Sequence, residues 1–170
     1  LQSRVERIVT ALPAEDDRLN STIESTRRAF RSSAASIAAG KALFVKHCSS
    51  CHRVRDEGHL VGPQLDGIGN RGLERVSEDV LAPYRNVDVA FRTTILSLDD
   101  GRVMAGLVRQ QDEDRWVLVD SEGKELAVAP NQIEQQHVSP LSIMPDNFAQ
   151  LLNDVERNDL LAFLMSLRTP

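Results

Sequence analysis

Two cysteines followed at once by a histidine constrain this chain more than any other feature. The cysteines are Cys48 and Cys51, and the histidine is His52. Two thiols at this spacing can add to the two vinyl groups of one porphyrin, because those vinyls sit on neighbouring pyrroles. The histidine then lies under the iron and can coordinate it as the proximal ligand. The motif therefore predicts covalent attachment of a c-type haem.

Other sites built on two closely spaced cysteines fit this chain less well. A structural zinc ion needs four ligands, and the remaining histidines, His47, His59 and His137, form no second pair. A thioredoxin-type redox pair needs a βαβ setting, which the flanking sequence does not show. A structural disulfide across so tight a loop would leave His52 unexplained.

Length and composition limit the partners and the size of the core. A chain of 170 residues suits one domain with an appendage, or two small domains. The net charge of −5 argues against nucleic acid as a partner, and no stretch approaches the roughly 20 apolar residues of a membrane span. Aromatic residues make up only 4% of the chain, so a haem would supply part of the missing core volume.

The haem also predicts where the protein works. Covalent attachment takes place outside the cytoplasm in bacteria, so we expect a periplasmic or otherwise exported protein. No signal peptide is visible, and the chain begins with Leu1 rather than with methionine. We therefore expect a mature protein or an excised piece of a larger one.

Residues 1–39 carry no chemical motif. Apolar residues at helical spacing predict one short helix before Pro13 and a second helix through Leu19, Ile23 and Phe30. The other positions are mostly charged or polar, so a solvated helical lead-in and a linker from an upstream domain both fit. We expect the linker.

A helix and a glycine-rich loop flank the cysteine motif. Residues 34–47 have helical spacing and run directly into Cys48. Five glycines between residues 58 and 72 predict an irregular loop, which can wrap closely round a flat cofactor because glycine has no Cβ. A short helix, Ser77–Leu81, follows and is stopped by Pro83.

Residues 86–138 change from helical to alternating periodicity. Their β-rich runs are separated by turn signals, the first of them Asp99-Asp100-Gly101. We predict a small module of four or five antiparallel strands, curled or closed into a barrel, that stands apart from the haem core. Trp116 is expected to anchor the core of this module, and an exposed role in recognition is the alternative.

The end of the chain returns to helix. Residues 139–145 predict a constrained loop around Met144, because two prolines restrict its backbone. Asn153 and Glu156 predict a capping box at the start of an apolar final helix. That helix is long enough to pack across the helix that precedes the cysteines.

Several unrelated motifs follow the same order as in a known family: Gly40–Phe44, Val61–Leu65, Phe91–Thr94, Asp100-Gly101 and Ser139–Pro145. In this order the chain resembles class I cytochromes c. It resembles more closely the haem-binding domain described in planctomycetes and related bacteria, from about residue 40 to the end. The resemblance implies an α+β fold class: a mainly α cytochrome c fold around haem, with N-terminal helices and an inserted antiparallel β module.

Three parts of the chain follow from these expectations. The first is the lead-in or linker, 1–39. The second is the haem domain, made of residues 40–85 and 139–170. The third is the inserted module, 86–138.

The resemblance also implies roles for residues on the proximal side. Cys48 and Cys51 would form the thioethers, and His52 would bind the iron. The carbonyl of Pro63 would accept the Nδ1–H of His52 and so fix the orientation of its ring. Gly40, Phe44 and Phe163 match the family's close crossing of the first and last helices.

On the distal side, the resemblance implies that Met144 is the second iron ligand. From the residues alone, His137, His59 and His47 could compete for this position, or Met144 could simply fill the core. Arg71 lies where cytochromes c often direct a basic side chain to a haem propionate, although a solvated loop arginine fits nearly as well.

The resulting expectation is an electron carrier with one haem c, and not an enzyme. Its partners would be a fused or docked dehydrogenase and another electron carrier. The competing hypothesis is a catalytic or gas-binding haem domain, which requires a vacated sixth position on the iron. A third hypothesis treats the β module as a protein-binding unit with the haem as its redox trigger.

Overall fold

The computed structural model describes residues 17–30 and 35–168, in which helices precede and follow an antiparallel sheet. The helices are α1 (17–30), α2 (Ile37–His47), α3 (Gly72–Leu81), α4 (Phe148–Leu151) and α5 (Asp154–Ser166). The strands are β1 (Arg53–Val54), β2 (Glu57–Gly58), β3 (Arg92–Leu98), β4 (Val103–Gln111), β5 (Trp116–Val119), β6 (Glu125–Val128) and β7 (Ile133–Ser142). The predicted α+β fold class is confirmed. Among these helices, none combines the length and the apolarity that a membrane crossing requires.

The close crossing of α2 and α5 forms the centre of the helical core. Gly40 lies so near α5 that an added Cβ would come within 1.9 Å of the carbonyl oxygen of Asp159. One turn later Phe44 is fully buried, and its ring centroid lies 5.5 Å from that of Phe163. The crossing implied by the resemblance is therefore present.

Hydrogen bonds at the helix ends fix where α2 and α5 begin. The side chain of Ser36 accepts from the Ala39 backbone at the start of α2, and its own N–H donates to Asp159 Oδ1 at 2.6 Å. Asn153 and Glu156 form the predicted capping box at the start of α5. Caps of this kind satisfy backbone donors that have no partner within the helix.

Helix α1 packs on this core instead of standing in solvent. Ile23 is buried with the other core residues, and Phe30 packs against them. Arg27 Nε donates to Ser77 Oγ of α3 at 2.7 Å, and this hydrogen bond joins α1 to α3. The short helix expected before Pro13 lies outside the described residues, and the linker hypothesis stays a prediction.

The loop after the cysteine motif contains more regular structure than its glycines suggested. Ile68–Arg71 forms a 3₁₀ turn, and α3 begins directly afterwards, five residues before the predicted start at Ser77. The helix forms because Val76 and Leu81 bury one face of it in the core. Burial of this face outweighs the weak helix propensity of the glycine at its first position.

The sheet has the strand order β6-β5-β4-β3-β7, and the predicted turn at Asp99-Asp100-Gly101 joins β3 to β4. The last strand is longer than expected. It continues to Ser142, so the prediction that residues 139–145 form a loop is wrong for their first four positions. The reason is a register shift in the pairing with β3, after which Ser142 pairs with Arg92.

Both faces of this sheet bury apolar side chains. On one face Leu96, Leu118 and Trp116 belong to a core formed within the sheet, so Trp116 occupies its predicted core position. On the other face Leu107 and Val119 pack against residues that flank the haem motif. The division of the chain into three parts stays a prediction. The sheet and the loop after the haem motif are joined by this apolar contact.

Gly40→Ala is expected to destabilise the protein, although alanine is the better helix former by about 1 kcal/mol. The new methyl group would be forced against the Asp159 carbonyl, and overpacking of this kind costs about 1–3 kcal/mol. The variant should therefore unfold at a lower temperature in a calorimeter. Ala42→Ser, at an exposed position of the same helix, is the control and should change little. A Gly40→Ala variant as stable as wild type would contradict the tight crossing.

Candidate haem site

A cavity of about 660 Å³ lies between the two halves of the fold. This volume is within the range of sites that hold small molecules and cofactors. Its walls come from the end of α2, the glycine-rich loop, α3, the sheet, the segment after β7 and α5. Every site residue expected from the sequence lines it: Cys48, Cys51, His52, Pro63, Arg71 and Met144.

The two cysteines lie on a tight turn that directly follows α2. The carbonyl of Cys48 accepts from the backbone N–H of Cys51 at 3.1 Å and from that of His52 at 2.8 Å. Both thiols are free. Burial, with a smaller contribution from Cys51, raises the pKa of Cys48 to about 12, so this sulfur is a neutral thiol at neutral pH.

One ring nitrogen of His52 is held by the chain, and the other is left for a metal. His52 Nδ1 lies 2.8 Å from the carbonyl oxygen of Pro63. Since a carbonyl can only accept, the proton must sit on Nδ1 and leave the lone pair on Nε2. Burial lowers the pKa of His52, in spite of this hydrogen bond, and so favours the neutral imidazole that metals bind.

Glycines of the following loop make room for the histidine. A Cβ on Gly62 would come within 2.6 Å of His52 Cε1, and a Cβ on Gly58 would come within 2.2 Å of the His52 carbonyl oxygen. Gly58 also has φ of +99°, a conformation that favours glycine. The sequence predicted a loop that approaches a flat cofactor, and at these two positions the close approach is to the imidazole-bearing residue itself.

Met144 reaches the cavity from the end of strand β7. Its backbone N–H donates to Ser142 Oγ at 3.0 Å, and Thr93 Oγ1 donates to the Leu141 carbonyl at 3.1 Å. These two bonds tie the methionine segment to the end of the sheet. The position of Met144 therefore depends on the pairing between β3 and β7.

The three other histidines differ in their access to the cavity. His59 and His137 are exposed and do not line it. His47 does line it, but this residue is the last of α2 and directly precedes Cys48. It therefore lies on the same side as the haem motif.

One corner of the cavity carries charged side chains. Arg71 Nη1 lies 2.7 Å from Asp79 Oδ2, and Arg75 Nε lies 3.0 Å from Asp79 Oδ1. Burial nonetheless raises the pKa of Asp79, outweighing the two guanidiniums, which lower it. Of these three residues, the sequence predicted only Arg71 as part of the site. Arg71, Arg75 and Asp79 are each four residues apart, and this spacing could have predicted the charged corner, because residues four apart lie on one face of a helix.

Six further wall residues come from the segment 86–138, among them Phe91, Leu107 and Ser121. The expectation that this module stands apart from the haem core is therefore wrong. Alternating periodicity reveals that one sheet face is buried, but not what covers it. Here the covering surface includes Val61 of the loop after the haem motif, and Cys51 of the motif packs against the same small cluster as Leu107.

The residues present fit a covalently bound haem. The cavity offers two free thiols two residues apart, an imidazole with Nε2 unengaged and a thioether at Met144. Most of the remaining wall is apolar, including Val76, Phe148 and Leu164, which suits a porphyrin face. Arginines at one corner suit its carboxylates.

Comparison with known families gives the same assignment. Residues 37–120 match the family model described as Cytochrome c, a family that binds the iron-containing cofactor haem c by covalent attachment. The matched stretch begins at α2, includes the cysteine motif and α3, and ends with β5. It stops before Met144, so the match does not extend to the expected distal ligand.

Gly62→Ala is expected to disturb His52, the expected iron ligand, more than it disturbs the fold. The added methyl group must displace the His52 ring, which weakens the bond to Pro63. Purified holoprotein should then show an altered visible spectrum or a lower haem content. Gly40→Ala is the matched control, since its methyl group meets α5 instead of the imidazole. Identical spectra for Gly62→Ala and wild type would contradict the close packing of Gly62 on His52.

Proposed function

Since the chain carries a cytochrome c domain, which is an electron-transfer module with haem c, we propose that its iron is held between His52 and Met144. The observation that supports this proposal best is that both side chains line one cavity together with the two free thiols. Ligation by His and Met raises the reduction potential relative to ligation by two histidines. The bound haem supplies the one-electron couple, and the protein supplies its ligands and its dry pocket.

Three observations favour Met144 over the other candidates for the distal position. The exposed His137 lies in the middle of β7, where its backbone pairs with Ile95. His59 is exposed outside the cavity. Met144 lines the cavity on a segment already fixed by a side-chain hydrogen bond to its backbone. A thioether held in this way needs little further ordering to bind.

We assign the haem propionates to the charged corner of the cavity. Among the described residues, Arg71 and Arg75 are the arginines that line it. A guanidinium can bind a carboxylate through two parallel hydrogen bonds. The two propionates would therefore share these two cations with Asp79, so that three carboxyl groups would face two guanidiniums.

The role in the cell follows from the module. We propose that the domain is of the planctomycete type, that it is exported, and that it belongs to a larger redox protein. It would relay electrons from a fused or docked dehydrogenase to another carrier. The motifs of that type, from Gly40 to Pro145, support this assignment.

The haem is expected to stay with the protein after acid denaturation. Two thioether bonds at Cys48 and Cys51 survive unfolding, whereas axial ligands are lost. Extraction with acidified organic solvent should therefore leave the colour in the aqueous protein phase. The Cys48→Ala and Cys51→Ala variants should each retain at most one attachment, and the double variant should release its haem. Haem in the organic phase from wild type would refute covalent attachment.

Met144→Ala is expected to remove the distal sulfur. The ferric wild-type protein should be low-spin and show the weak far-red charge-transfer band of a thioether ligand. In the variant this band should disappear, the reduction potential should fall, and azide should bind to the ferric protein. These properties are measured by absorption spectroscopy and redox titration.

Met165→Ala is the matched control for this experiment. Met165 packs against the same helical core but does not line the cavity, so its loss should leave the band in place. His137→Ala tests the competing assignment. A Met144→Ala spectrum equal to that of wild type, together with a changed His137→Ala spectrum, would indicate ligation by two histidines.

A further inference from the structure

An arginine of the sheet reaches across to the loop that supports the proximal histidine. The guanidinium of Arg109 donates to the carbonyl oxygen of Val61 at 2.7 Å and to that of Leu60. Leu107, two residues earlier on the same strand, packs against the Val61 side chain. The segment 60–61 is thus held by β4 through one polar and one apolar contact.

An irregularity in the sheet accompanies this contact. Val108 pairs with Leu118, but the next paired residue on β4 is Gln110, so the register shifts at Arg109. A β-bulge leaves its extra residue out of the ladder and turns the side chain in a new direction. Bulges are frequent beside functional sites for this reason. The irregularity therefore lies at the one residue of β4 that donates to the loop.

The same loop segment is bound on its other side by the haem motif. The backbone N–H groups of Val61 and Gly62 both donate to the carbonyl of Cys51, at 3.0 and 2.7 Å. The next residue, Pro63, supplies the carbonyl that accepts the Nδ1–H of His52. Arg109 therefore bonds Val61, which lies only two residues before Pro63, the residue that orients the imidazole. The segment between them is anchored on both sides.

We propose that Arg109 is a positioning residue for the proximal iron ligand. By holding the carbonyls of Leu60 and Val61, it keeps Pro63 at hydrogen-bonding distance from His52. This inference rests on the proposed function, in which His52 binds the iron. It gives the sheet a defined part in setting the reduction potential of the haem, although Arg109 itself touches no ligand of the iron.

The direction in which the reduction potential shifts when Arg109 is removed distinguishes a positioning role from a purely electrostatic one. A weaker hydrogen bond at Nδ1 makes the imidazole a poorer electron donor, which disfavours the oxidised haem and shifts the potential upward. Loss of a positive charge near the haem does the opposite, because it favours the more positive, oxidised state. An upward shift on removal of Arg109 is thus the signature of positioning.

The test uses wild-type, Arg109→Gln and Arg109→Lys holoproteins. The primary measurement is solvent exchange of the His52 Nδ1 proton, followed by nuclear magnetic resonance in the reduced state. We expect about tenfold faster exchange in Arg109→Gln, which corresponds to the loss of about 1.4 kcal/mol of protection. Arg109→Lys keeps the charge, but its nitrogen ends one bond short of Nη2, the atom that bonds both carbonyls, so its exchange rate should be intermediate. The potential should rise in Arg109→Gln.

Arg102→Gln is the matched control. Arg102 lies on the turn that joins β3 to β4 and donates to Asp100 of the same turn, so its loss removes the same charge without touching the loop. Its exchange rate should equal that of wild type. Unchanged exchange in Arg109→Gln would overturn the inference, and if that variant yields no holoprotein, unchanged exchange in Arg109→Lys would do so. Failure of the proposed function would appear separately, as wild-type His52 ring resonances that lack the ring-current shift of an iron ligand.

Discussion

The hydrogen bond between His52 and Pro63 is the interaction on which the rest of the site depends. At 2.8 Å it sets the tautomer of the imidazole and leaves Nε2 for a metal. The bond can form only because Gly62 has no side chain, since a Cβ there would meet the ring at 2.6 Å. Its acceptor lies in a loop without regular structure of its own. The geometry of the ligand therefore depends on whatever holds that loop.

Two different parts of the sheet supply that support on the two sides of the cavity. Strand β4 holds the proximal loop through Leu107 and Arg109. Strand β7 ends beside Arg92 and leads directly to Met144. A segment that looks like an insertion in the sequence thus contributes to both sides of the pocket. Removing this segment would leave both candidate ligands of the iron without support. The segment is therefore not merely an appendage.

Features encoded over a few residues could be predicted from the sequence, and features that depend on distant pairing could not. The cysteine motif, the α5 capping box and the turn at Gly101 are local, so their residues suffice to identify them. The extension of β7 depends on a register shift against β3, which no periodicity within β7 reveals. The contact of Arg109 with the loop needs the same kind of long-range information.

The cavity also explains why covalent attachment suits this fold. Val76, Phe148 and Leu164 belong to the buried helical core and line the cavity at the same time, so a bound haem completes that core. In a chain with only 4% aromatic residues, such a group replaces the large side chains that fill other small domains. Tethering by two thioethers makes each axial bond intramolecular, which raises the effective concentration of the ligands. If Met144 is the distal ligand, as proposed, its weakly donating thioether would compete with solvent from a fixed position and not as a free ligand.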